Sequence, residues 1–260
     1  MLSEERYEAI MNRLKTQNFV KVSELTEEFG VSIETVRRDL FFLESKGLLK
    51  RIHGGAARVE KIHEFQDLHQ RVHCQSEQKK QLAKLAASLI QEKDIIAIDY
   101  GSTAIQLAEA IKAQFHALTV VTNSAAVFQI LRDLPDFQLL LIGGQYYRKE
   151  DAFYGPLAEN QLRNVSVSKS FVFPSGISMQ AGVTDYIAEF IAMQKAYLQI
   201  ARQAVIVADS SKFEDSTLFK ICDISSKEIY LTDSDFSDEL YERYLKNSIN
   251  IFRGEKLDHA

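Results

Sequence analysis

Ser32, Thr35, Arg37 and Arg38 fall within one seven-residue stretch, and hydroxyls interleaved with guanidinium groups at that spacing suit contact with a nucleic acid. A guanidinium donates two parallel hydrogen bonds to the edge of a guanine or to a phosphate. A hydroxyl near a helix N-terminus meets phosphate where the backbone amides already favour an anion. The residues between them set the geometry. Ile33, Val36, Leu40 and Leu43 recur at helical spacing, so the stretch predicts a helix with an apolar seam and a separate basic, hydroxyl-bearing face. Asp39 is expected to orient an arginine or hold the helix, because a carboxylate facing phosphate is repelled. Which arginine reads a base stays open at this level.

A helix that enters a DNA groove needs support from its neighbours. Val22, Leu25 and Phe29 form a second short apolar stripe, with Ser23 placed to cap its start and Gly30 to end it. Tyr7, Ile10, Met11 and Leu14 mark a third amphipathic helix that begins near Ser3, which completes a small tri-helical core. After Gly47, the run Leu48–Val59 reads as two short strands around Gly54 and Gly55, a hairpin wing. In that wing Lys50, Arg51 and His53 are placed for backbone or minor-groove contact, with Gly54 and Gly55 allowing close approach. Residues 1–59 thus read as a winged helix-turn-helix for double-stranded DNA. The chain as a whole is acidic, with a formal charge of −5. Residues 1–34 carry four lysines and arginines against seven carboxylates, whereas residues 35–58 carry six against two, so positive charge is focused on the reading helix and wing. A winged helix used only for protein contacts is the competing reading.

With 260 residues in the chain, some 200 remain beyond the wing, enough for a second core. Residues 60–76 are polar and read as a partly helical linker, and residues 77–260 as a Rossmann-like α/β domain that binds an effector and forms a homo-oligomer, a dimer or tetramer. Candidate strands are Ile95–Asp99, Leu118–Thr122, Gln138–Ile142, Ser170–Phe173, Ala204–Ala208, Glu228–Thr232 and Asn250–Phe252. Candidate helices are Lys79–Gln91, Ala104–Ala113, Ala125–Leu134, Leu157–Leu162, Ile187–Arg202 and Asp238–Lys246. In an open parallel sheet the loops beyond the carboxyl ends of the strands share one crevice. Here those loops are rich in glycine, hydroxyls and small polar groups: Asp99-Tyr100-Gly101-Ser102-Thr103, Thr122-Asn123-Ser124, Gly143-Gly144, Ser175-Gly176, Gly182 to Asp185, and Asp209 to Lys212. Backbone amides and hydroxyls at such turns can hold a small polyanion, and Lys212 can add positive charge.

Other chemistries find less support. His69 and His73 lie four apart beside Cys74, a spacing that suits metal ligation, but no second cluster completes a site, so neither a metal nor a cofactor is expected. Asp99, Asp185, Glu189 and Lys212 are available as acids, bases or an electrophile, yet a DNA reader is an unexpected appendage on a metabolic enzyme, and no catalytic residue is assigned. Two cysteines, no cleavable signal and no apolar run near about 18 residues predict a cytoplasmic protein without a membrane partner.

The pattern Arg6, Ile10, Leu14, Ser32, Thr35, Val36, Arg37, Arg38, Asp39 and Leu40 resembles the N-terminal signature of the DeoR-type bacterial repressors, in identity and spacing. The loops between about Lys79 and Asp233 are similar to the DeoR-type sensor domain, a relative in fold of ribose-phosphate isomerases. That resemblance implies repression of a sugar or carbohydrate catabolism operon under control of a phosphorylated sugar or related metabolite. It also implies a pocket lined by Asp99, Gly101, Ser102 and Thr103, with Asn123, Gly143, Gly144, Gly176, Asp185 and Lys212 around it. Two departures stand out. Gln194 occupies the place where the family usually has a lysine, and Phe173-Pro174 replaces smaller residues. They imply an effector less anionic than a typical sugar phosphate, or one held in another pose.

Overall fold

The computed structural model describes residues 3–17, 19–45, 49–52, 54–58 and 67–254. The chain divides into two compact units, residues 1–65 and 66–260.

In the first unit, α1 (Ser3–Thr16), α2 (Val22–Phe29) and α3 (Ile33–Ser45) pack with a three-stranded antiparallel sheet of β1 (Phe19–Lys21), β2 (Leu49–Ile52) and β3 (Gly55–Arg58), ordered β1-β3-β2. Val36, Leu40 and Leu43 bury against Ile10, Leu14, Leu25 and Phe29, as the seam requires. Ile33 leaves that seam and is 51% exposed, because it opens the helix beyond the edge of the core. Gly30 ends α2 in the left-handed conformation, φ 63°, and its amide bonds the Thr26 carbonyl. Ser23 does not cap α2: the helix starts one residue earlier, Lys21 is the capping residue, and no side chain bonds the free amides. The reason is β1, which has too few residues to show a strand period and forms only because it pairs with β3. Lys21 lies opposite Gly55, and the Val22 amide donates to the Gly54 carbonyl at 2.9 Å, so the wing satisfies a helix-start donor that a serine was expected to meet.

Gly55 carries a prediction of its own. A Cβ at this position would stand 2.0 Å from the Val20 carbonyl oxygen and 2.8 Å from the Phe19 ring, and backbone cannot yield as a side-chain tip does. Gly55→Ala is expected to destabilise the first unit by at least about 1–3 kcal/mol, seen as a lower midpoint for that unit in a thermal melt of the full chain. An unchanged midpoint would mean that β1 and β3 do not approach so closely.

The second unit begins with α4 (Leu68–His73) and α5 (Ser76–Ala87). There follow β4 (Ile95–Ile98), α6 (Ser102–Gln114), β5 (Thr119–Thr122), α7 (Ala125–Leu131), β6 (Gln138–Leu141), β7 (Gln145–Tyr147), β8 (Ala152–Tyr154) and α8 (Pro156–Arg163). The rest comprises β9 (Val167–Val172), β10 (Gly176–Ser178), β11 (Gly182–Asp185), α9 (Ala188–Ile200), β12 (Ala201–Val207), β13 (Phe219–Cys222), β14 (Ile229–Thr232), α10 (Asp238–Lys246) and β15 (Asn250–Arg253). All seven expected strands join one parallel sheet in the order β15-β14-β12-β9-β4-β5-β6. Their near-continuous apolar runs fit burial on both faces. Ile96, Ile98, Val120, Phe171 and Val205 face α5, α6 and α7, while Ala97, Val121 and Val172 face α8 and α9. The chain moves from β4 outward to β6 and then returns to β9 on the other side of β4, so the topological switch lies between β4 and β9.

Three features differ from the sequence expectation. The helix expected to run to Arg202 stops at Ile200, and Ala201 and Arg202 already belong to β12, paired with β9. The hairpin β7/β8 and the antiparallel sheet β10-β11-β13 were not anticipated, being three- and four-residue strands without a readable period. The segment read as a linker also divides: residues 60–66 lie outside the described residues, whereas α4 packs into the second unit, with Leu68 buried and its amide donating to the Lys149 carbonyl at 3.0 Å. No helix among the described residues is long and apolar enough to cross a membrane.

Candidate DNA-reading helix and effector site

On α3 the reading residues are supported from behind by a buried ion pair. Arg6 of α1 donates from Nε to Asp39 Oδ2 at 2.7 Å and from Nη2 to Asp39 Oδ1 at 3.1 Å, a two-pronged contact that fixes the position of α3 on α1. Asp39 is therefore the holding group, and the arginine it orients comes from another helix. Ser32 Oγ accepts the Thr35 amide at 3.2 Å and lies 2.9 Å from Thr35 Oγ1, so both hydroxyls sit at the start of α3 with Ser32 as its cap. Arg37 is exposed, and its nearest carboxylate, Glu34, is 4.0 Å away. Arg38 is exposed and pairs with no carboxylate among the described residues. Neither guanidinium has to give up a strong partner to meet DNA.

The wing residues are less uniform. Arg51 is engaged: its Nε bonds Glu44 Oε2 at 2.6 Å, its amide bonds Glu44 Oε1 at 2.9 Å, and its guanidinium stands 5.0 Å from the Phe41 ring centre. It ties the wing to α3, and a phosphate must compete with Glu44 for it. Gly54 turns the hairpin at φ 83° with open space around it, as the wing requires. Gly55 packs against Val20, where a side chain would not fit. His53 and the side chain of Lys50 lie outside the described residues.

At the switch point of the sheet, Asp99 follows β4 and Ser175 and Gly176 follow β9. Asp99 is fully buried, and neither carboxylate oxygen has a hydrogen-bond partner of ordinary length. Burial pushes its pKa well up, beyond what the nearby Tyr100 amide and Gln194 side chain restore, and Asp185 adds repulsion. Asp185, at the end of β11, is also buried but well held: it accepts from Ser175 Oγ at 3.0 Å, from the Tyr186 amide at 2.7 Å and from Gln194 Nε2 at 2.9 Å. Its pKa is also raised by burial. Gln194, read from the sequence only as a departure, is thus one of the groups that hold Asp185, and its own Oε1 is buried without a partner.

Gly101 adopts φ 125° at the start of α6, a conformation that favours glycine, and brings Ser102 and Thr103 into the first turn. Both residues are largely buried, and neither hydroxyl has a hydrogen-bond partner among the described residues, next to the free amides of a 13-residue helix. Lys212, after β12, likewise has no carboxylate partner among the described residues. Other expected lining residues are committed elsewhere. Asn123 donates from Nδ2 to the Phe153 carbonyl at 2.8 Å and accepts from the Tyr197 hydroxyl at 2.9 Å, so it clamps β8 and α9 to the sheet. Gly143 exchanges hydrogen bonds with Gln161, and a Cβ on Gly144 would stand 2.6 Å from the Tyr154 carbonyl. Gly176 is equally tight, 2.7 Å from Thr184 Oγ1. In this structure these four serve packing.

Sequence reading missed a set of buried polar groups near Tyr100 and Asp185. Arg71 of α4 pairs with Glu150, whose side chain is wholly enclosed, and burial lifts the Glu150 pKa to about 7 against the pull of that guanidinium. Tyr100 is buried with its hydroxyl unpartnered and packs on Phe190, ring centres 4.1 Å apart, with Tyr147 and Tyr154 beside Phe190. Lys79 donates to the Arg71 and Cys74 carbonyls at 2.5 and 2.7 Å, and burial draws its pKa down to about 8. One signal was available for Lys79: it occupies the apolar stripe of α5 with Leu82, Ala83 and Ala86, where a lysine demands an explanation. Among the described residues no group of three histidines, cysteines or carboxylates has metal-binding geometry. Cys74 Sγ instead donates to the Gln70 carbonyl, and the side chain of His69 lies outside the described residues.

With this geometry in hand, comparison with known proteins is specific. Residues 6–62 match the DeoR-like helix-turn-helix domain, and residues 74–234 match the DeoR C terminal sensor domain. The lactose phosphotransferase system repressor of Lactococcus lactis subsp. lactis is 32% identical over 94% of this chain and 96% of its own length. The L-fucose operon activator of Haemophilus influenzae is 31% identical over 90% and 94%. Among solved structures, ribose 5-phosphate isomerase A from Neisseria gonorrhoeae shares 18% identity, with a TM-score of 0.41 over 55% of this chain and 56% of that one. The chain belongs to the DeoR family of DNA-binding transcriptional regulators, not of enzymes.

Proposed function

We propose that this regulator controls an operon for sugar or carbohydrate catabolism, as a repressor, and that a phosphorylated sugar or related metabolite bound at the carboxyl ends of β4 and β9 sets its grip on the operator. The observation that carries the reading is the pair of unpartnered hydroxyls, Ser102 and Thr103, at the start of α6 beside the enclosed Asp99. Amides and hydroxyls there suit a phosphate, and Asp99 with Asp185 suits a polyhydroxylated body. The names of the relatives, a lactose phosphotransferase system repressor and an L-fucose operon activator, support a carbohydrate effector.

On the DNA side, Ser32, Thr35, Arg37 and Arg38 enter the major groove and Lys50, Arg51, His53 and Gly54 touch the backbone. One reading helix makes few contacts, so operator affinity calls for at least a dimer on paired half-sites, with residues 77–260 as the oligomerising and effector-binding part. Linkage then requires that the effector and the operator alter each other's affinity by the same factor.

Operator binding by alanine variants tests the first half. Arg37→Ala or Arg38→Ala is expected to lose about 1–3 kcal/mol, roughly 5- to 150-fold in affinity, with relaxed preference at one base pair for whichever arginine reads it. Unchanged affinity for both variants refutes the assignment. For the second half, sugar phosphates are screened for thermal stabilisation and for a change in operator affinity. Binding that survives both Asp99→Ala and Lys212→Ala would show that the effector sits elsewhere.

A further inference from the structure

The partnerless atoms around Asp99 define the effector more narrowly than a phosphate site does. Both Asp99 oxygens, Gln194 Oε1 and Glu150 Oε1 are buried acceptors with no hydrogen bond of ordinary geometry, and the Tyr100 hydroxyl is a buried group beside them that is also unpartnered. The same cluster holds three carboxylates, those of Asp99, Asp185 and Glu150, against the guanidinium of Arg71, which Glu150 engages. Hydrogen-bond donors and positive charge are what this interior lacks. A phosphate or carboxylate placed here sets acceptors against acceptors, and a hydroxyl brings one donor and no charge. A primary ammonium brings three donors and a full positive charge, and it fits both deficits at once.

Building on the sensor reading above, we propose that the effector is an aminated sugar phosphate, its phosphate at Ser102, Thr103 and Lys212 and its ammonium against Asp99 and Gln194 Oε1. The ammonium forms an ion pair with Asp99. Because burial favours the protonated acid in the empty site, forming that pair sends the carboxyl proton to solvent. Binding therefore releases up to one proton per site and strengthens as pH rises, for as long as the amine stays charged. The titratable groups that face Asp99 are Asp185 from β11, Tyr100 and Tyr197, while Glu150 from the β7/β8 turn and Arg71 from α4 face Tyr100 and Asp185. Asp99 and Gln194 are fully enclosed, so the amine enters only when side chains part, and association is expected to be slower than typical for a preformed site.

Titration calorimetry on the full chain tests this with glucosamine 6-phosphate and galactosamine 6-phosphate, their N-acetyl forms, and glucose and galactose 6-phosphates. Two buffers of different ionisation enthalpy reveal proton release. The expected result is at least tenfold tighter binding of one free amine than of its acetylated and hydroxyl counterparts, with a buffer-dependent heat. Asp99→Asn is expected to erase both the preference for the free amine and the proton release. Gln194→Lys, which places an ammonium inside the chain, is expected to erase the preference too, provided its melt remains cooperative. Equal or tighter binding of a plain sugar phosphate without proton release overturns the aminated effector and leaves the phosphate-sensor reading standing. Failure of every compound to bind overturns both.

Discussion

Arg6→Ala is expected to unfold the DNA-binding unit at temperatures where the second unit stays intact. The substitution leaves the Asp39 carboxylate enclosed between α1 and α3 without the two donors that neutralise it, and removing one partner of a buried pair is far more damaging than removing both. A unit of some 65 residues has little stability in reserve. A fall of roughly ten degrees or more in its midpoint follows, since each kcal/mol lost moves a domain of this size by about 4–8 °C. Calorimetry of the full chain should show the early transition moved or lost and the later one unchanged, together with loss of operator binding. The double variant Arg6→Met, Asp39→Leu is the control, expected to regain much of the lost stability. A single variant that melts like the parent would show that the pair contributes position without stability.

Asp99→Asn is expected to do the opposite, raising the stability of the second unit while removing its response to effector. The sign follows from proton linkage. Burial raises the Asp99 pKa in the folded state, so the native chain holds this proton more tightly than the unfolded chain does. Stability contributed in this way is complete below the unfolded value, about 3.9, and drains away as pH rises toward the folded one. Glu150 acts in the same direction up to about 7. An asparagine cannot ionise, and its amide supplies a donor to a cluster crowded with acceptors. The midpoint of the second unit should therefore rise at pH 8, by about 2–4 °C for each kcal/mol recovered, and move little near pH 4. A lower midpoint at pH 8 would mean that the carboxylate is compensated in the native protein. Gain of stability with loss of response is what a site kept for binding predicts.

Much of this architecture was legible in the residue order. The seven strands of the large sheet, the pairing of α2 with α3 and the buried seam of Val36, Leu40 and Leu43 all follow from local periods. So did Asp99, Gly101, Ser102 and Thr103 as the turn between a buried strand and a helix. What stayed hidden was contact between residues distant in the chain. Arg6 meets Asp39 across 33 positions and Arg71 meets Glu150 across 79, and nothing near either member announces the other. The packing contacts of Asn123, Gly144 and Gly176 stayed hidden for the same reason, since a glycine or asparagine in a loop looks alike whether it faces a ligand or a neighbouring carbonyl.

Residue types and spacing alone therefore determined that a helix with a basic face lies early in the sequence and a parallel sheet with polar loops later in it, because periodicity records which side of each element is buried. Tertiary structure decided which of those polar groups remain unpartnered. Whether an oxygen is satisfied depends on what other elements bring within about 3 Å, and in this protein that separates Asp185, held by Ser175, Tyr186 and Gln194, from Asp99, whose oxygens make no hydrogen bond of ordinary length.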